Sequence, residues 1–269
     1  MQRRRSFLLL AFAVIALPAI PVSAQQPGAR YMINLRYKVD SAKVAEHRDF
    51  IKNATAKVMT EWLKLNPKLL GWAAFELNYG GAPLADYNFA TTLTFDGPPP
   101  EDGMVTFQAA VKNAGMAYEA YQAKMRSLRT LVGQQLRRSV ASTGTTGGEW
   151  LVVNYYKIDP RRRSEAIDQL RTISQPIFSM MAKENAIAGW GATEVVFPQG
   201  QSFDLAAFTS YNSLADAVRY GYAGGGRSFS TYFAKAHPDK SYILFVDSLR
   251  ANRTMVRSDL LHRVARVAR

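Results

Sequence analysis

The chain has 269 residues, of which 34 are Lys or Arg and 21 are Asp or Glu, so its formal net charge at pH 7 is +13. It contains no cysteine, which excludes disulfides, thiolate metal ligands, cysteine nucleophiles and a lipoprotein attachment site. The length suffices for two domains of ordinary size, each held by its apolar core.

The first 24 residues have the features of a secretory signal peptide. Three arginines at 3–5 precede an apolar stretch from 7 to 20, and small residues at 22–24 form a cleavage site before Gln25. Pro18 and Pro21 interrupt the segment from Ser6 to Ala24, which disfavours a permanent membrane anchor. Both the twin-arginine and the ordinary secretory route fit. The mature protein is therefore expected in the periplasm or medium, and nucleic acid is disfavoured as a partner.

The next segment predicts a strand, a helix, two strands and a helix. Residues 31–39 alternate apolar and polar as a strand does, and Asp40 with Ser41 caps the helix that follows. One stripe of this helix is predicted to be buried, and Asn66-Pro67 ends it. The stripe contains Val44, His47, Ile51, Ala54, Val58 and Trp62. The later elements are expected at 71–79, 86–95 and 104–125, with a turn at 80–83 between the strands.

The chain then repeats itself. Gly71-Trp72-Ala73-Ala74-Phe75-Glu76 returns 118 positions later as Gly189-Trp190-Gly191-Ala192-Thr193-Glu194, and Asp86 with Thr91 parallels Asp204 with Thr209. The order of the matching segments is the same in both halves. This predicts a duplication, with one α+β repeat at 31–142 and a second at 149–265.

The second half predicts the same elements. Strands are expected at 150–158, 189–197 and 203–211, a helix opens at Asp159-Pro160, and a helical stretch begins near 214. Pro176 lies inside the first helix of this half and predicts a kink. The pattern leaves open whether 126–142 and 241–265 are strand or helix.

The order strand, helix, strand, strand, helix, with a candidate fourth strand, is the split arrangement of a ferredoxin-like unit. With the Gly-Trp-x-x-x-Glu strand, the chain resembles the dimeric α+β barrel superfamily, which includes NIPSNAP-like proteins, antibiotic-biosynthesis-type monooxygenases and stress-responsive barrel proteins. The resemblance implies an α+β fold in which two tandem ferredoxin-like βαββα(β) units form an intrachain pseudo-dimeric barrel. It also implies that a small apolar molecule or haem binds between a sheet and its helices. The Asn, His, Trp set of haem-degrading members has no counterpart here.

Catalytic and metal motifs are scarce. His47, His237 and His262 are far apart and lack metal-ligand spacing, so we expect no multi-histidine metal site. His47 is interpreted as a core or boundary residue, with a haem or metal ligand as the alternative. The run 224–228 reads as a flexible loop, with an anion-binding loop as the alternative.

The repeated strand carries the candidate site. Trp72, Ala74 and Glu76 share one face of the strand, and Ala73, Phe75 and Leu77 share the other. A buried glutamate needs a partner, and an arginine such as Arg129 or Arg253 is one expectation. The other is that the Trp/Glu pairs border two pseudo-symmetric ligand cavities. The full candidate set for ligand binding is Trp72, Glu76, Trp190, Glu194, Tyr37, Tyr156, Arg129 and Arg253.

Three functional classes remain. The first is an envelope protein that binds a small apolar or planar ligand, and the second is a monooxygenase-like or haem-associated oxidoreductase. The third is a module whose basic clusters touch an anionic membrane surface weakly. These clusters are Arg161, Arg162 and Arg163, and the tail residues Arg253, Arg257, Arg263, Arg266 and Arg269. The sequence leaves the cofactor and the oligomeric state open.

Overall fold

The protein forms a closed eight-stranded antiparallel barrel with helices on its outside. The computed structural model describes residues 29–80, 86–144, 147–197, 203–223 and 225–269, and for 197, 221–223 and 225–228 the backbone alone. The signal peptide and most of the turn at 80–83 lie outside these residues. The strands are β1 (Arg30–Lys38), β2 (Leu69–Gly80), β3 (Phe89–Asp96), β4 (Thr130–Ser142), β5 (Trp150–Ile158), β6 (Gly189–Phe197), β7 (Leu205–Tyr211) and β8 (Arg253–Ala268).

The strands follow one another around the barrel as β1-β3-β2-β8-β5-β7-β6-β4, and β4 pairs with β1 to close it. The first four strands therefore stand in the order β4-β1-β3-β2, and the last four stand in the order β8-β5-β7-β6. Two pairings, β2 with β8 and β4 with β6, join the two sets. The predicted α+β barrel is confirmed, and the superposition of its two halves stays a prediction.

The helices cover the outer face of the barrel. They are α1 (Val44–Phe50), α2 (Ala56–Leu65), α3 (Gly103–Asn113), α4 (Tyr118–Leu128), α5 (Arg163–Gln169), α6 (Gln175–Lys183), α7 (Leu214–Asp216), α8 (Gly225–Ala236) and α9 (Tyr242–Asn252). None in the described part of the chain is long and apolar enough to cross a membrane. The single helix expected at 104–125 is two, because the chain turns at Gly115 with a φ of +81°.

The first helical region follows the sequence prediction closely. The Asp40 carboxylate accepts from the Ala42 N–H at 2.9 Å and caps the start, and Asn66 ends α2. His47, Ile51, Val58 and Trp62 are buried as expected. A π-helical segment, Ile51–Thr55, separates α1 from α2.

The second half has the same interruption at Leu170–Ser174, directly before the turn that contains Pro176. Where the sequence predicted a kink at Pro176, the structure has this π-helical segment directly before the proline. Since the first half has its π-helical segment without a proline, Pro176 is not the general cause.

The two segments whose structure the sequence left open, 126–142 and 241–265, each contain helical residues followed by a strand. The first begins in α4 and continues as β4, and the second contains α9 followed by β8. The run expected as a loop at 224–228 differs from the prediction, because α8 begins at Gly225.

Hydrogen bonding corrects the parallel drawn from the sequence between Asp86 and Asp204. The Asp204 carboxylate accepts from the Ile158 N–H at 3.0 Å, and the Asn88 side-chain oxygen accepts from the Val39 N–H at 2.8 Å. Each of these residues therefore ties the start of its strand to the end of the preceding first strand. Asn88, rather than Asp86, occupies the place that Asp204 has in the second half.

The barrel wall separates two environments, as the period of a strand requires. Trp72 and Ala74 pack against helices in one apolar cluster. Phe75, with Ala73 and Leu77 beside it, belongs to a different cluster, formed by strand residues that face the barrel interior. The alternation expected for β2 is confirmed.

The loop between the halves provides a test of this packing. Gly148 has a φ of +74°, and a Cβ added there would lie 2.5 Å from the Tyr211 carbonyl oxygen. Gly144 has a φ of +89° with open space around it. We expect Gly144→Ala to cost about 1 kcal/mol through its backbone conformation alone. Gly148→Ala should cost at least about 2 kcal/mol, because steric overlap is added. Urea unfolding measures both variants, and equal losses would contradict the packing described.

Candidate functional site

Glu76 on β2 is held by a residue of α1. Arg48 donates to both of its carboxylate oxygens, Nε to Oε2 and Nη2 to Oε1, each at 2.7 Å. This two-pronged contact raises the pKa of Arg48. The expected pairing with an arginine is confirmed, but the partner is Arg48 and not Arg129, because it comes from the helix that lies over the strand.

Glu194 on β6 has two arginine partners. Arg138 of β4 donates through Nε at 2.7 Å and also through Nη2, and Arg163 of α5 donates at 2.7 Å. The expected partner Arg253 is not among them, so here too the glutamate pairs with arginine but the expected residue is wrong. Both repeated glutamates have their charge compensated, and they fasten helices to the barrel.

The two repeated tryptophans pack in the core. Trp190 stacks on Phe178 with 4.6 Å between the ring centres, and Trp72 lies in the apolar layer under the first-half helices. Their burial explains the repeat as a packing requirement of the sheet and its helices.

The remaining four candidates form two Tyr–Arg pairs. The Arg129 guanidinium lies 3.7 Å from the centre of the Tyr37 ring, and Arg253 lies 4.6 Å from that of Tyr156. Both contacts are cation–π interactions on the helix-facing side of the sheet. One buried nitrogen of each arginine, Nη1, lacks a hydrogen-bond partner in the described structure.

In the first half, His47 belongs to the same group of side chains as the Tyr–Arg pair. It lies on α1 with 1% of its surface exposed, and neither ring nitrogen has a partner within the described ranges. Its ring meets the Phe89 ring edge-on at 4.5 Å, and Phe89 is the neighbour of Tyr37 across β1 and β3. His47, Phe89, Tyr37 and Arg129 therefore form a continuous group between sheet and helices. We call these four residues the His47 group.

Burial lowers the pKa of His47 to about 4, and the charge of Arg129 adds to the effect. The imidazole is thus neutral at pH 7, with one N–H donor and one acceptor nitrogen. Neither nitrogen is used by a protein group within the described residues.

The second half lacks this combination. Ala166 occupies in α5 the place that His47 has in α1, and Leu205 is the neighbour of Tyr156 where Phe89 is the neighbour of Tyr37. The Tyr–Arg pair is common to both halves, but only the first half has an imidazole at this helix position. The described residues contain no group of three His, Asp or Glu side chains placed to bind a metal ion.

The basic tail expected at the surface is strand β8, and several of its arginines face aromatic rings. Arg253 lies over Tyr156, Arg257 lies 5.0 Å from the Tyr87 ring centre, and Arg263 lies 5.7 Å from that of Phe75. These three side chains therefore contact rings of the barrel, and weak contact of the basic clusters with an anionic membrane surface stays a prediction.

Comparisons with known proteins support the fold. No family model and no curated protein matches the chain. A "putative monooxygenase" structure from Fusobacterium nucleatum matches with a TM-score of 0.56 at 10% identity, covering 91% of this chain and 96% of its own. Another of the same description, from Lactobacillus acidophilus NCFM, matches with a TM-score of 0.53 at 7% identity, covering 90% and 96%. A structure described as "Putative Chlorite dismutase" matches with a TM-score of only 0.48. At these identities the likeness shows the fold alone, an α+β barrel.

The pKa of His47 predicts an acid-labile fold. Since the folded pKa of about 4 lies below the unfolded value of 6.5, the unfolded chain binds this proton first as the pH falls. The stabilisation is complete above pH 6.5 and is lost between pH 6.5 and 4. Between pH 7 and 4.5 the wild type should lose roughly 2 kcal/mol more unfolding free energy than His47→Leu. Urea unfolding at both pH values measures this, and parallel pH profiles would refute it.

Proposed function

We propose that this protein binds a small planar ligand between the sheet and the helices of its first half, beside the His47 group. The observation that carries the proposal is the buried imidazole of His47, whose two nitrogens have no partner in the described part of the molecule. Each unpaired buried polar atom costs about 1–3 kcal/mol. A ligand that hydrogen-bonds to the ring would remove this cost.

The surroundings define the ligand. Phe89 and Tyr37 supply aromatic surface, and the unpartnered Nη1 of Arg129 supplies a donor. The neutral His47 ring can both donate and accept. We infer a planar, largely apolar molecule with an oxygen acceptor directed at Arg129 and a polar edge directed at His47.

We further propose that the chain is an internal duplication of a ferredoxin-like unit, with repeats at 31–142 and 149–265, and that it acts after export. The equal strand orders of the two halves support the duplication. The asymmetry of His47 and Ala166 is then the result of one repeat keeping a ligand site that the other does not have.

Oxidation of the bound ligand is the second candidate. The fold shared with two structures described as "putative monooxygenase" supports it, as does the neutral imidazole, which can accept a proton. A pKa of about 4 makes His47 a weak base at pH 7, so this activity requires that the ligand raise the pKa. Binding without reaction is therefore the better supported function.

Haem does not fit the same position. A porphyrin is several times larger than a single small planar ligand, and binding it through His47 would require α1 to separate from β3, on which it packs through the contact of His47 with Phe89.

Two matched arginine variants test the proposal. The neutral fluorescent phenol 2-naphthol serves as the planar probe, and calorimetry measures its dissociation constant. Arg129→Met should weaken binding about tenfold, because one hydrogen bond to the probe is lost. Arg253→Met removes the same charge and the same contact with a tyrosine ring in the other half, and it should leave binding unchanged.

His47→Leu should weaken binding at least as much as Arg129→Met, while circular dichroism shows a folded protein. Oxygen uptake in the presence of 2-naphthol distinguishes the second candidate from simple binding. Equal dissociation constants for the wild type, Arg129→Met and His47→Leu would place any ligand site elsewhere.

A further inference from the structure

The inside of the barrel contains a polar cluster on the face opposite to the His47 group. We call it the lumen cluster, and it combines three arginines, one carboxylate, one amide and three aromatic rings. Its members are Arg36, Tyr87, Gln135, Arg137, Tyr155, Phe203, Arg257 and Asp259.

One arginine of the cluster has a carboxylate partner. Arg257 donates through Nε to Asp259 at 2.7 Å, and the Tyr87 hydroxyl donates to the other oxygen of Asp259 at 2.5 Å. Asp259 is completely buried. The negative charge of Asp259 is therefore compensated by Arg257. Burial is the main cause that raises the pKa of Tyr87, so this phenol stays neutral.

The other two arginines have no carboxylate partner among the described residues. Arg36 lies between rings, 5.0 Å from the centre of Tyr87 and 5.2 Å from that of Tyr155. Arg137, with 5% of its surface exposed, donates to the amide oxygen of Gln135. Three positive groups and one negative group leave the cluster with a charge of +2.

Several donors in the cluster are unused. Nη2 of Arg36, Nη2 of Arg257 and Nε2 of Gln135 are buried and have no partner within the described structure. All three can only donate. A surplus of positive charge with unused donors in one buried space is suited to an oxyanion, because water alone cannot neutralise the charge.

Apolar side chains lie next to this polar cluster inside the barrel. They are Phe75, Val153, Val195, Ala206 and Leu261. A ligand that satisfied both parts would have a carboxylate head, which guanidinium groups bind with two parallel hydrogen bonds, and a small apolar body.

We propose that the barrel lumen binds a small carboxylate with an apolar body, held by Arg36, Gln135 and Arg137. This site lies on the inner face of the sheet, whereas the His47 group lies on the outer face. It is independent of the proposed function.

Sodium benzoate is the probe, with sodium chloride of equal ionic strength as the reference. The wild type should show a saturable rise in Tm with benzoate, because a ligand that binds only the folded state stabilises it. An equal Tm in both salts would overturn the proposal. Stabilisation by phosphate but not by benzoate would show that the ligand class is wrong.

Gln135→Glu tests the site by supplying the carboxylate from the chain itself. The new carboxylate would accept from Arg137 and compensate its charge. We expect a higher Tm in chloride and a loss of benzoate affinity of at least about tenfold. Unchanged benzoate affinity would overturn the proposal.

Arg36→Met is a second test, which does not depend on whether Gln135→Glu folds. This variant should also weaken benzoate binding about tenfold. Arg250→Met removes an equal charge from the exposed surface of α9 and should leave affinity unchanged. Arg129→Met should retain benzoate binding, which separates this site from that of the His47 group. Equal weakening by Arg250→Met and Arg36→Met would show a nonspecific charge effect and overturn the proposal.

Discussion

Closure of the barrel is the constraint on which the rest of the structure depends. Each set of four strands would end in two open edges, with unpaired N–H and C=O groups that promote aggregation. The pairings of β2 with β8 and of β4 with β6 remove all four edges at once. They also divide the wall into an outer face under the helices and an inner face around the lumen. Each of these faces carries one of the two proposed sites.

Arg36 and Tyr37 show that the register of β1 determines which side chains face the lumen and which face the helices. They are consecutive in sequence, yet Arg36 lies among the rings of the lumen and Tyr37 lies under Arg129 on the outer face. A shift of one residue in β1 would exchange them and place a charged side chain under the helices. The register shift between Arg36 and Tyr37 in the pairing of β1 with β4 lies at this point.

The parts of the fold that depend on local spacing were predictable from sequence. The alternation of Trp72 and Phe75, the cap at Asp40 and the burial of His47 all follow from strand and helix periods. The partners of Glu76 and Glu194 were not predictable, because they depend on which helical turn lies over each strand. Arg129 and Arg253 recur in both halves, but their shared role is to cover a tyrosine. The lumen cluster combines strands from both halves, and no local pattern connects Arg36, Arg137 and Arg257.

The state of the His47 ring during binding tests the central claim most directly. Nitrogen-15 NMR of the imidazole reports its protonation and its hydrogen bonds. The account predicts a neutral ring at pH 7, consistent with a pKa of about 4, and a change in both nitrogen resonances when 2-naphthol binds. Binding of 2-naphthol that leaves both resonances unchanged would contradict it.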